Sequence, residues 1–168
     1  MKRKTQSSRA VLLVARGGLI AALYVTLTYL SSLVGLSSGV IQFRLSEALC
    51  ILPIFLPEAV FGLSVGCMLA NMLTGALFWD VVFGTLATLI GAAGAYLLRR
   101  VKFKWIATLP TVLANAIIIP FVLLYVYGAE GGYFFFLLTV GAGEVACATF
   151  LGTLLAHLLE KNKIFDIL

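Results

Sequence analysis

Apolar residues run along this chain in long stretches broken by charges, prolines and small polar clusters. The breaks predict helical spans at 10–34, 45–56, 57–73, 79–98, 106–127 and 133–159. A spanning helix needs about 20 residues, so 45–56 is too short to cross a full hydrocarbon core comfortably. Pro53 and Pro57 account for the ambiguity there. The residue before a proline resists helical dihedrals, and Pro57 suits the first turn of a new helix, so a tight bend at 55–57 is expected between spans two and three. Small residues recur at helical spacing: Gly62, Gly66 and Ala70 on span three, Gly84, Ala87, Gly91 and Gly94 on span four, Gly141, Ala148 and Gly152 on span six. Such stripes let helix backbones approach closely where lipid offers no hydrophobic drive for association. Span one carries two of them, Ala15, Gly18 and Ala22, with Gly17 and Ala21 adjoining. The first is the stripe expected to face a partner protein.

Composition supports the bilayer as solvent. Of 168 residues 62% are hydrophobic and 11% charged, with mean hydropathy +1.10, against about 45–50% and 25% in ordinary soluble domains. Six spans with short loops leave no room for a soluble domain, and no internal repeat breaks the chain. The expectation is one all-α domain, residues 1–168, an integral membrane bundle of six transmembrane helices in the cell membrane. The basic start followed by an apolar run imitates a signal peptide, but further hydrophobic runs follow and no small-residue cleavage site is clear, so a retained first span is the better reading.

The cations set an orientation. Lys2, Arg3, Lys4, Arg9 and Arg16 precede or begin span one, Arg99, Arg100, Lys102 and Lys104 join spans four and five, and Lys161 and Lys163 follow span six. All three groups fall on one side of a six-span bundle, which by the positive-inside rule is cytoplasmic, as are both termini. Only Arg44 lies elsewhere, so the net charge of +5 reports topology rather than nucleic-acid binding. Glu47, Asp80, Glu130 and Glu144 lie on the outer side or in the outer halves of spans, favouring a cationic or hydrogen-bonding ligand.

Ionisable groups inside a membrane cost about 2.5–3.5 kcal/mol each on insertion scales, so each needs a partner or a purpose. Glu144, within Gly141-Ala142-Gly143-Glu144, is the strongest candidate for ligand contact, the alternative being a structural pair with Arg44. Gln42-Phe43-Arg44-Leu45-Ser46-Glu47 enters span two from outside. Arg44 and Glu47, three apart, could pair with each other, and Ser46 could cap the helix. The density of donors and acceptors in Gln42, Arg44, Ser46 and Glu47 favours binding. Asn71, Thr74, Trp79 and Asp80 form a second outer cluster, where an indole beside amide and carboxylate suits a flat heterocycle, although a lone tryptophan also suits the interfacial belt. Asn115 in span five serves either interhelical bonding or ligand-edge recognition. Tyr125, Tyr127, Glu130 and Tyr133, around the glycine-rich 128–132, are placed to form a lid. Cys50, Cys67 and Cys147 have no metal-ligand spacing and read as buried thiols. No phosphate loop, dinucleotide fingerprint, HExxH or GxSxG occurs, and the single histidine, His157, sits at the inner end of span six. No cofactor or metal is expected, and no enzyme activity.

The chain resembles the queuosine-precursor transporters of the QueT type, substrate-capture (S) components of energy-coupling factor (ECF) transporters. The likeness is carried by Gly18-Leu19-Ile20-Ala21-Ala22-Leu23-Tyr24-Val25, Ile41-Gln42-Phe43-Arg44-Leu45-Ser46-Glu47-Ala48-Leu49, Gly66-Cys67-Met68-Leu69-Ala70-Asn71, Asp80-Val81-Val82-Phe83-Gly84-Thr85-Leu86-Ala87-Thr88-Leu89 and Gly143-Glu144. The resemblance implies a six-helix component that binds a 7-deazaguanine from outside. It would work with a transmembrane coupling protein and two cytoplasmic ATPases, docked through small residues of the first helix such as Ala15, Gly18 and Ala22. An aminomethyl substituent on that ligand would be cationic, and Glu47 and Glu144 give it a partner. Capture of another vitamin (riboflavin, biotin or thiamine) shares this architecture. An ATP-independent facilitator lined by Glu144, Asn115 and Glu47, and a scaffold without transport, are the readings from other classes.

Overall fold

A computed structural model describes residues 6–35 and 43–162 of the chain, and within them the structure is entirely helical. The long first helix, α1, runs Gln6–Leu33. A ten-residue 3-10 helix, Leu45–Ile54, follows, then α2 at Ala59–Leu73 and α3 at Phe78–Leu97. A short 3-10 turn, Lys104–Thr108, leads into α4 at Leu109–Tyr125. Finally α5 at Tyr133–Glu144 passes through a π-helical segment, Val145–Leu151, into α6 at Gly152–Lys161. Among the described residues, four helices are long and apolar enough to cross a membrane: Arg9–Leu33, Phe78–Leu97, Lys104–Tyr125 and Tyr133–Lys161. Leu45–Ile54 and Ala59–Leu73 are apolar but shorter.

The distribution of side-chain size argues for lipid around the bundle. Its buried interior is rich in small residues, with Ala59, Ala87, Ala92, Ala95, Ala107 and Ala156 fully enclosed, while Phe61, Leu73, Leu97, Leu138 and Phe150 face outward. A water-soluble domain would bury the large residues to gain hydrophobic free energy. In a bilayer that gain is absent and close backbone packing takes its place. Consecutive helices pack pairwise, α1 on α2, α2 on α3, α3 on α4 and α4 on α5. Glycines set those spacings. A Cβ at Gly62 would fall 2.6 Å from the Gly17 carbonyl oxygen, one at Gly66 3.0 Å from Ala21, and one at Gly91 2.7 Å from the Thr111 backbone.

The 3-10 helix Leu45–Ile54 is the centre of the bundle, in contact with α1, α3, α6 and the π segment. A 3-10 helix rises about 2.0 Å per residue against 1.5 Å in an α-helix, so ten residues reach about 20 Å instead of 15. The stretch that is short as an α-helix thus reaches further as a 3-10 helix. Pro53 lies within it, and the chain turns back through 55–58 into α2, which starts at Ala59 with Glu58 as its first flanking residue.

One end of the bundle gathers two ion pairs, Arg16 to Glu58 at 3.3 Å and Lys104 to Glu160 at 3.0 Å. The opposite end gathers Arg44, the α2–α3 turn and Tyr127. Gly75, at φ +77°, makes that turn in a conformation only glycine adopts without strain.

Candidate functional site

The first turns of the central 3-10 helix and of α3, the last turns of α1 and α2 and the middles of α4 and of the last span converge on one buried polar centre. Glu47, Asn71, Asp80, Asn115 and Glu144 are all buried there. Arg44 stands among them, with Tyr24, Cys67, Asp80 and Glu47 as its electrostatic neighbours. Glu144 faces Glu47, Arg44 and the Asn115 amide.

Hydrogen bonds engage these groups but leave single atoms of two of them without a partner among the described residues. Arg44 donates through Nη1 to Asn71 Oδ1 at 3.2 Å, and Asn71 Nδ2 reaches Cys67 Sγ at 3.7 Å. Gly84 makes room for that amide, since a Cβ there would sit 2.8 Å from Asn71 Nδ2. The Tyr24 hydroxyl donates to Glu47 Oε1, and the Cys50 thiol lies 3.2 Å from Glu47 Oε2. Above them Thr28 donates to Ser46 Oγ at 2.7 Å and the Leu45 amide donates to Ser31 Oγ at 3.1 Å, tying the start of the 3-10 helix to α1. Asn115 Nδ2 donates back to the Thr111 carbonyl at 3.3 Å. Arg44 Nε and Glu144 Oε2 are buried and have no hydrogen-bond partner among the described residues. Buried polar atoms are almost always satisfied, so these two orphans single out Arg44 and Glu144 as candidates for ligand contact.

Tyr127 lies at the Arg44 end of the bundle. Its hydroxyl donates to Asp80 Oδ2 at 2.7 Å and accepts from the Leu77 amide at 3.2 Å, bridging the chain after α4 to the start of α3. Burial, and then the bond to the Asp80 carboxylate, push the Tyr127 phenol above its ordinary range. Tyr133, by contrast, donates to the Ile117 carbonyl, and Tyr125 is exposed.

Six of the expected site residues, Arg44, Glu47, Asn71, Asp80, Asn115 and Glu144, therefore come together. Gln42 lies outside the described residues. Trp79 does not join them: it is 54% exposed, with its ring stacked on Phe83 at 5.8 Å and edge-on to Phe78 at 5.4 Å. Arg44 pairs with neither Glu47 nor Glu144 within ion-pair distance among the described residues. Tyr24 and Cys50 are members of the centre that sequence reasoning missed. Tyr24 shares the Gly17 and Ala21 face of α1, the one signal available, and that face packs against α2. The stripe Ala15, Gly18 and Ala22 points away from the bundle, with nothing within 4 Å of a Cβ at Gly18.

A family model described as QueT transporter matches residues 14–161. The queuosine precursor transporter QueT of Lactococcus lactis subsp. cremoris (strain MG1363) is 40% identical over 86 residues, 50% of this chain and 50% of that protein. The matched stretch thus spans about half the length of this curated relative. No solved structure matches the chain.

Proposed function

The chain belongs to the QueT transporter family and is a multi-pass protein of the cell membrane, and from that premise we propose that it is the substrate-capture component of an ECF-type transporter. It takes a 7-deazaguanine queuosine precursor from outside and hands it inward at the expense of ATP hydrolysed by partner subunits. The observation that carries this reading is the buried centre with two unpartnered polar atoms, Arg44 Nε and Glu144 Oε2, in a chain whose relative is named for such a precursor. Arg44, Asn71 and Asn115 supply donors and acceptors for the edge of a flat heterocycle, and the carboxylates Glu47, Asp80 and Glu144 supply negative charge for a cationic substituent. Gln42, two residues before Arg44 in the sequence, is the remaining member of the proposed binding set.

The energy comes from elsewhere, since the sequence carries no phosphate loop. A transmembrane coupling protein and two cytoplasmic ATPases are the partners proposed, with Ala15, Gly18 and Ala22 as the docking stripe on α1 and both termini cytoplasmic. Isothermal titration of the purified protein against deazaguanines, riboflavin, biotin and thiamine tests the ligand. Binding confined to the deazaguanines is expected, whereas saturable binding of a vitamin alone would reassign the substrate. Liposomes tell the coupled transporter from a facilitator: uptake by this chain alone, without ATP, would contradict the capture role.

A further inference from the structure

One cation and three carboxylates meet in the buried centre, Arg44 against Glu47, Asp80 and Glu144. Their oxygens are unequally engaged. Glu47 accepts the Tyr24 hydroxyl at Oε1 and the Cys50 thiol at Oε2. Asp80 accepts Tyr127 at Oδ2. Glu144 is only 8% exposed, yet its Oε2 has no partner among the described residues. The helix that bears it widens into π turns at the next residue, a distortion frequent at functional sites.

A buried carboxylate oxygen without a donor gains most from an arriving ammonium group, because that contact removes a desolvation cost already present and forms a charge-assisted bond. A carboxylate whose two oxygens already hold protein donors gains less. Resting on the deazaguanine reading above, we propose that Glu144, rather than Glu47, meets the ligand's cationic substituent, and that Tyr24 is a positioning residue that keeps Glu47 occupied and out of that contact.

The test compares 7-aminomethyl-7-deazaguanine, which is cationic, with its 7-cyano analogue, which has the same ring and no charge. Both are titrated into the purified full chain. The wild-type protein is expected to prefer the cationic compound by roughly 10- to 100-fold, the scale of one hydrogen bond to a charged group. Glu144→Gln brings that ratio close to one while the cyano compound still binds, which also shows that the variant is folded. Glu47→Gln weakens both compounds alike and leaves the ratio in place. In Tyr24→Phe combined with Glu144→Gln, part of the preference returns because Glu47 Oε1 is released, an outcome that a merely structural tyrosine does not give.

Should Glu144→Gln bind neither compound, Glu144→Asp decides: a retained preference for the cation upholds the assignment and a lost one overturns it. The proposal is also overturned by a wild-type ratio near one, by a preference that survives Glu144→Gln, or by one that disappears in Glu47→Gln alone. Absence of recovery in the double variant overturns the role of Tyr24. Wild-type protein that binds neither compound overturns the deazaguanine reading itself, a different failure from loss of charge selection.

Discussion

At the scale of single residues, the decisive contrast is between polar atoms that are held and polar atoms that are not. Tyr127 holds Asp80 and the Leu77 amide at once, so Tyr127→Phe removes one donor and one acceptor there. Leaving the buried Asp80 without that donor costs about 1–3 kcal/mol. Faster ligand dissociation and faster amide exchange at Leu77 are expected, and an unchanged exchange rate would show that the bridge does not form. The raised phenol gives the pH sense. The folded value lies above the unfolded one, so the bridge contributes fully below the ordinary phenol range and is lost as pH climbs through the raised value. Trp79 offers the opposite case. Its ring faces outward against Phe78 and Phe83, so Trp79→Ala is expected to leave ligand affinity nearly unchanged, and a large loss on titration would bring the indole back to the ligand. Trp79 and Asp80 are neighbours in sequence but about 100° apart around a helix, and apolar content alone does not say which of the two turns inward.

At the scale of elements, apolar runs made the helices legible because hydrophobicity is what the bilayer reads. The helical stretches beginning at Leu45, Phe78 and Tyr133 start within a residue of where charges and prolines divide the sequence. Helix type was not legible. The 3-10 helix at Leu45–Ile54 and the π segment at Val145–Leu151 differ from α-helix by small dihedral changes that packing imposes and that residue types do not announce. The small-residue stripes were legible as packing faces, yet only the structure separates the inward stripe from the outward one on α1. Gly62→Ala drives a methyl into the Gly17 backbone and is expected to destabilise the bundle by about 1–3 kcal/mol. A Cβ at Gly18 meets no atom within 4 Å, on the outward stripe where Gly18→Leu adds its side chain. That substitution is expected to leave the melting temperature of the isolated protein unchanged while reducing uptake in cells that hold the partner subunits. Equal thermal losses in the two variants would deny that distinction.

At the scale of the whole molecule, the centre was legible residue by residue through the cost of burying charge, but its connections were not. Tyr24 and Glu47 lie 23 positions apart, and no periodicity joins them. The two ends of the bundle carry a topology, with Arg16–Glu58 and Lys104–Glu160 at one and Arg44 and Tyr127 at the other. A single cysteine introduced at exposed Glu130 is expected to react with an impermeant thiol reagent applied outside intact cells, and one at Lys102 is expected to react only after lysis. The reverse pattern would invert the orientation. The central claim is that Arg44 and Glu144 keep polar atoms unpartnered because a ligand completes them. Saturation binding of a labelled 7-deazaguanine to the protein alone in lipid nanodiscs, without ATP or other subunits, measures this most directly. One site per chain, lost in Arg44→Ala and weakened in Glu144→Gln, is the expected result. Absence of saturable binding, or equal binding by the wild type and both variants, would contradict it.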